Sequence, residues 1–374
     1  MALILLYILA ALFVVLLVFY LGIFSSVAFS KPHESNAKRI PVSVLVYAKN
    51  NEDELRHLLP ILLNQNYHQF ELVLINNAST DNTLHLIKEY ALFYPNIKVV
   101  DVVNNEAFWG SKKYALTLGV KASKHEYLVV IDADKKIQSN NWLVYLTSYF
   151  TLNKTVVLGT SYYSKQKGFF NKKFRFTHAM QQLQALSWSK MGKPFSLNAH
   201  QLAFKKEDFY NINGFINHMQ KPLFTNEFFI NDVASSKNTT ICEQSDAMIE
   251  VAPLLKKDNT LFRKQQLELL NHFKSGIAFK IKAFNFTQVA FFIVATVSFI
   301  AFDYWYITLG ILLLRYILFW FIFSKIAKKL KYNDLIIFFP ILDLLYIILQ
   351  IQLFFCNLLF FILNIFLYPH VGYY

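Results

Sequence analysis

The sequence predicts an α/β domain with a mainly parallel sheet, carried by one N-terminal and about three C-terminal transmembrane helices. Three observations predict it. The first thirty residues carry no charge, and much of the last third is nearly as apolar. Between them, short β-branched runs alternate with stretches whose apolar residues recur at helical spacing, the pattern of helices laid over a parallel sheet. Of 374 residues, 55% are hydrophobic and only 16% charged, which excludes a disordered or collagen-like chain. Two cysteines far apart exclude a disulfide framework and a cysteine-based zinc site. The net charge of +13 is mostly lysine and fits a surface facing anionic lipid; no nucleic-acid motif accompanies it, so no nucleic-acid partner is expected.

Taken in chain order, Ala2–Phe24 is apolar for long enough to cross a bilayer, which needs about 20 residues. Ser26-Val27-Ala28 resembles a signal-peptide cleavage site, but no positive segment precedes the run and the run is longer than a usual signal core. An uncleaved anchor over residues 1–30 is expected. From Pro41 the pattern alternates. Strands are predicted over Val42–Tyr47, Glu71–Ile75, Ile97–Val102 and Tyr127–Ile131, and helices over Glu52–Asn64, Asp81–Tyr90 and Ser111–Ala122. In such sheets ligands bind beyond the carboxyl ends of the strands. Those ends, Tyr47–Asn51, Asn76–Asp81, Asn104–Gly110 and Asp132–Asp134, are all polar and outline one site.

The second half of this domain, taken as residues 38–260, is less regular. Val156–Thr160, Leu197–Phe204 and Thr240–Glu243 read as strands, Phe174–Lys190 and Asn226–Ser235 as helices. Phe262–Phe284 reads as a lysine-bearing helix, either lying on the membrane surface over residues 261–284 or serving as an ordinary connector. Residues 285–374 then hold the remaining spans, built on Ala283–Phe302, Tyr304–Ser324 and the run from Leu335. The lysine-rich segment Lys325–Lys331 lies between the last two and should stay cytoplasmic, which places the central domain on the same side. Arg315 and Asp343 lie at matching depth on adjacent spans and should pair, because a lone charge in lipid is costly. That pair either locks the helices or lines a substrate path.

Asp132-Ala133-Asp134 follows a buried strand. Two carboxylates so spaced can hold one hard divalent cation, Mg2+ or Mn2+, that keeps places for phosphate and water; taken alone, the pattern is equally that of a polar turn. Lys112 and Lys113 either neutralise a diphosphate or form a solvated helix face.

In this order, Val44-Leu45-Val46-Tyr47-Ala48-Lys49-Asn50, then Phe70–Asp81 (FELVLINNASTD), then Gly110-Ser111-Lys112-Lys113-Tyr114-Ala115-Leu116, then Asp132-Ala133-Asp134 resemble family-2 glycosyltransferases, and most of all their membrane-bound bacterial members. The resemblance covers about residues 40 to 250. It implies a GT-A fold (nucleotide-diphospho-sugar transferase, Rossmann-like), a nucleotide-sugar donor, inversion at the anomeric carbon, and a place in the inner (cytoplasmic) membrane with the catalytic domain in the cytoplasm. It assigns Asp134 to the metal, Asp132 to the ribose or the metal, and Ala48, Asn50 and Asn77 to the nucleoside, with Lys112 beside the diphosphate.

An acidic pair opens a later helix in relatives, its second member being the base. Thr225-Asn226-Glu227 matches that stretch, so the resemblance makes Glu227 the catalytic base, with Asn226 in place of the first acid. The alternative for Glu227 is a favourable acid in a helix first turn. Asn76-Asn77 replaces a frequent Asp-Asp, and Gln265-Gln266-Leu267-Glu268-Leu269 lacks the Arg and Trp of the Q-x-x-R-W motif of processive synthases. His218 reads as structural or as an acceptor contact. The expected activity is transfer of one sugar to a lipid-linked or membrane-proximal glycan. Its rivals are an impaired nucleotide-sugar-binding protein on the same fold and a transport or scaffold protein centred on Arg315 and Asp343.

Overall fold

A computed structural model of the chain describes residues 2–31, 40–103, 111–221, 224–253, 269–270, 272–301 and 305–367. Four strands run in parallel at one side of the sheet: β1 (Val42–Ala48), β2 (Phe70–Asn77), β3 (Ile97–Val102) and β4 (Tyr127–Asp132). With β6 (Val156–Leu158), β8 (Gln201–Lys205) and β9 (Thr239–Ile241) they form a seven-stranded sheet in the order β3-β2-β1-β4-β8-β6-β9. Only β8 breaks the parallel run, pairing antiparallel with both β4 and β6. The interior strands β1, β2 and β4 are buried on both faces, which is why they read as continuous apolar runs.

Helices Glu52–Leu63 and Trp142–Thr147 cover one face through Leu55, Leu59, Leu62 and Trp142. Helix Lys112–Ala122 covers the other. Ser111 caps it by accepting from the Tyr114 amide at 3.2 Å. It lies so close to β2 that a Cβ on Gly119 would fall 2.3 Å from Ile75 Cδ1. The predicted elements of this half are all present, with ends displaced by a few residues.

The second half departs further. β8 begins at Gln201 rather than Leu197, because residues 195–199 form a loop above the strand ends. Helix Phe169–Lys190 starts five residues earlier than expected, after Gly168 at φ 104°. A second sheet, unpredicted, joins β5 (Lys136–Ile137), β10 (Ile249–Val251) and β7 (Ser161–Tyr163).

Among the described residues four helices are long and apolar enough to cross a membrane: Leu3–Ala28, Gly276–Ile300, Trp305–Lys329 and Asn333–Leu353. The first contains a π-helical stretch, Val18–Phe24, that turns Phe19, Tyr20 and Phe24 toward the others; Tyr20 stacks on Phe319 at 4.3 Å and Phe24 meets Phe284 at 4.9 Å. The helix Ser275–Ala301 runs unbroken through residue 284, so no separate surface helix ends there; residues 261–268, with most of the Gln265–Leu269 stretch, lie outside the described residues. Arg315 and Asp343, both fully buried, form the expected ion pair.

Polar contacts fasten these helices to the α/β domain. Lys329 donates to the carbonyls of Val27 and Ser30, the Ser30 hydroxyl donates to Glu243 at 3.2 Å, and Lys190 pairs with Glu243 at 2.8 Å. Arg175 grips Asp334 through its two terminal guanidinium nitrogens, at 2.7 and 2.8 Å.

Candidate active site

Parallel strands end together, and three of the four predicted tips are described; Asn104–Gly110 is not. Ala48 closes β1 and is fully buried. Asn50 follows it at φ 54°, a left-handed conformation that asparagine tolerates. Its Oδ1 accepts the Thr80 amide at 2.8 Å, and its own amide donates to Ser79 Oγ at 3.0 Å, binding the tips of β1 and β2 together. Asn77 is buried at the end of β2 and donates to the Tyr47 hydroxyl at 2.9 Å. Burial raises the Tyr47 pKa, so this phenol keeps its proton and presents a neutral ring. Asn76 turns away and donates to Asp101 at 2.7 Å.

The Lys112 ammonium sits 5.1 Å from the centre of the Tyr47 ring and 2.5 Å from Asp132 Oδ1. Burial is the largest single influence and opposes its charge, but the Asp132 carboxylate, with Tyr47 and Asp134, raises the pKa on balance. Lys113 points elsewhere and donates to the Lys221 carbonyl. Burial, helped by the like charges of Lys112 and Lys221 and opposed by Glu227, lowers its pKa to about 8. At the end of β4 the Ala133 amide donates to the Tyr47 carbonyl at 2.8 Å, which locks the Asp132-Ala133-Asp134 turn to β1. Asp134 is half exposed, and both its oxygens receive the buried Lys135 ammonium, at 2.7 and 2.6 Å.

Glu227 lies in the first turn of helix Thr225–Val233, which Phe224 enters at φ 58°. It is buried, and its Oε1 accepts the Ala199 amide at 2.8 Å. Asn226 donates to the carbonyl of the same Ala199 at 2.7 Å. Burial raises the Glu227 pKa; the Ala199 amide and the Lys112 charge oppose that rise, while Asp132 adds to it. The Tyr163 phenol is raised first by burial and then by the negative charges of Glu227 and Asp134. Both carboxylates therefore bear on one phenol. The Tyr163 hydroxyl meets His200 Nε2 at 3.2 Å. Burial and the charges of Lys135 and Lys112 hold His200 neutral.

The tips thus gather Lys112, Asp132 and Asp134, and the charges of Lys112 and Asp132 reach Glu227 on its helix, with Asn50 and Asn77 on the neighbouring loops. His218 belongs to the frame: it pairs with Asp232 at 2.7 Å and stacks on Phe228 at 4.5 Å. Tyr163, His200 and Lys135 went unread in the sequence. Lys135 had a usable signal, its place directly after the paired aspartates; Tyr163 and His200 reach the site through a three-residue strand and a loop that carry no pattern.

A divalent cation with oxygen ligands fits this geometry. Two ammonium groups already stand at hydrogen-bond distance from Asp132 and Asp134, where a cation would sit. Among the described residues no group of three or more His, Cys, Asp or Glu side chains could hold a metal; a hard divalent cation held by two carboxylates keeps places for phosphate and water.

Residues 43–219 match the family described as Glycosyl transferase family 2. An uncharacterized glycosyltransferase of Escherichia coli (strain K12), YibD, is 30% identical over 111 residues, 30% of this chain and 29% of its own length. The Beta-monoglucosyldiacylglycerol synthase of Nostoc sp. is 35% identical over 101 residues, 26% of this chain and 21% of its own length. The matches span about a third of the first curated relatives. Mannosyltransferase PcManGT from Pyrobaculum calidifontis, solved with GDP-Man and Mn2+, shares the fold at a TM-score of 0.55 and 15% identity, over 88% of this chain and 96% of that one.

Proposed function

We propose, for a chain whose residues 43–219 match Glycosyl transferase family 2, that it moves one sugar from a nucleotide-sugar donor to an acceptor hydroxyl at a membrane surface, with inversion. The observation that carries the reading is Lys112: it stands 2.5 Å from Asp132, and its charge acts on Glu227 as well, so the proposed base and the paired aspartates share one electrostatic neighbourhood.

In this reading the nucleoside rests against Ala48, Asn50 and the Tyr47 ring, which Asn77 orients. Glu227 removes the acceptor proton as the acceptor oxygen attacks the anomeric carbon and the bond to the diphosphate breaks. Its burial raises its basicity, which suits a group that must take a proton near neutral pH. Lys112 meets the charge that develops on the departing diphosphate. Asp134, with Asp132, would hold Mg2+ or Mn2+, which supplies further positive charge to that leaving group.

A lipid-linked or membrane-proximal acceptor is supported by the apolar helices and by their polar fastening to the domain through Ser30 and Asp334, which meet Glu243 and Arg175. The Nostoc relative's name, a glucosyldiacylglycerol synthase, points to the same class of product. The lysines at the end of the Trp305–Lys329 helix, with Lys331 just beyond it, support a cytoplasmic-facing domain. The opposing reading, a nucleotide-sugar-binding protein without turnover, draws on the use of both Asn226 and Glu227 to clamp Ala199. One experiment separates them. The full chain in detergent, given Mn2+, a panel of radiolabelled UDP- and GDP-sugars and total bacterial lipid, should release a nucleoside diphosphate and label the lipid fraction. Donor binding with no release of diphosphate from any sugar supports the binding protein.

A further inference from the structure

We infer that Lys135 makes capture of the divalent cation conditional on an anion, so that the site takes up a cation together with a nucleoside diphosphate and not beforehand. The inference rests on the metal role proposed for Asp134 and extends it to a residue outside that assignment.

Lys135 is the residue after Asp134, and its side chain is only 8% exposed. Its ammonium gives both of its contacts to Asp134, one to each carboxylate oxygen. Among the described residues these are its only acceptors. Lys112 is placed in the same way on Asp132, at 2.5 Å. The paired aspartates are therefore held by the protein's own cations.

A divalent ion that took the Asp134 oxygens would meet an ammonium already there. Displacing it would leave a buried positive charge without a partner, beside a second positive charge. Stranding that buried ammonium is unfavourable, because its charge is left uncompensated; the half-exposed Asp134 side of the pair moderates the cost. A diphosphate resolves the conflict, since its oxygens accept from the released Lys135 while they also complete the shell of the cation. Cation and anion then enter as one unit, and by linkage each strengthens the other's binding by the same factor.

The cleanest reading is protein-bound Mn2+, measured by equilibrium dialysis of the full chain in detergent, without nucleotide and with saturating GDP or UDP. Wild type and Lys135→Arg should hold Mn2+ roughly tenfold more tightly with one of these nucleotides than without, within the usual range of coupling between two sites. Lys135→Met should gain roughly tenfold in affinity for Mn2+ alone and lose most of the nucleotide enhancement. Melting temperatures establish that each variant is folded. Equal affinity of wild type and Lys135→Met for Mn2+ alone overturns the inference. So does wild-type Mn2+ binding that ignores both nucleotides, a result that leaves the metal role of Asp134 standing. Absence of Mn2+ binding under every condition removes that role and this inference together.

Discussion

The carboxylate of Glu227 accepts the amide proton of Ala199 at 2.8 Å, so the group proposed as the base is held by the same loop that carries His200. Asn226 completes the clamp on the Ala199 carbonyl. One short stretch, Thr225–Glu227, thereby fixes both the base and the loop opposite it.

Two substitutions at Glu227 should separate these duties. Glu227→Gln keeps an oxygen for the Ala199 amide and should leave the fold intact. It should lower sugar transfer by about a hundredfold or more, as expected when a general base is lost. Glu227→Ala also orphans the buried Ala199 amide and should cost about 1–3 kcal/mol of stability in addition. Turnover and melting temperature of both variants check this. Normal turnover in Glu227→Gln would move the base elsewhere.

Proton balance at Glu227 gives a second expectation, with opposite signs for activity and stability. Burial raises its pKa in the folded protein. The base works only when ionised, so kcat/KM should climb with pH through an acid limb above the ordinary glutamate value. Folding, in contrast, favours the protonated form. That contribution is fully present below the unfolded pKa and is lost as pH rises through the raised folded one. Melting curves from about pH 4 to pH 8 should show the loss in wild type and a flatter profile in Glu227→Gln. An acid limb at or below the ordinary glutamate value would contradict the burial argument.

These expectations could be framed from sequence because its strongest signals fall on the site. Val42–Ala48, Phe70–Asn77 and Tyr127–Asp132 are long, doubly covered strands, and their apolar runs end abruptly in Asn, Ser and Asp. Burial on both faces makes such strands legible, and the polar stop marks where ligands go. The layer beneath the site had no such signal. Ser161–Tyr163, Lys136–Ile137 and Ile249–Val251 are two or three residues long, too short for any period to register, yet they set Tyr163 against His200. Leu197 and Ala199 look like strand residues because they are apolar and buried, but they belong to the loop that holds Glu227. Their burial comes from neighbours remote in sequence, which local pattern does not record.

Within the apolar helices, Arg315 and Asp343 allow a test that sets the transferase reading against a transport one. The pair is fully buried, and the guanidinium also lies 4.9 Å from the ring centres of both Phe292 and Tyr316. Removing one partner should destabilise the protein by about 3–5 kcal/mol, because the other charge is stranded. Replacing both with Leu should recover most of that loss and leave sugar transfer near wild type. Melting temperature in detergent and turnover of Arg315→Leu, Asp343→Leu and the double variant decide it. A stable double variant without any activity would favour a substrate path through the helices.

The last expectation concerns Tyr332, which ties the apolar helices to the layer below the site. Its buried hydroxyl accepts the Tyr163 amide at 2.8 Å and meets His178 Nδ1 at 2.8 Å. Burial lowers the His178 pKa to about 3, so this contact joins two neutral groups throughout the physiological range. The Tyr163 side chain in turn meets His200, the neighbour of the Ala199 whose amide Glu227 holds. Tyr332→Phe deletes one oxygen and leaves the Tyr163 amide without its acceptor, a change worth about 1–3 kcal/mol. Because β7 is only three residues long and depends on that bond, the slackening should reach Tyr163 and its contact with His200. Turnover should therefore fall several-fold in Tyr332→Phe while nucleotide affinity, set by the β1 and β2 tips, stays near wild type. Loss of nucleotide affinity in step with turnover would show instead that the substitution loosens the whole domain.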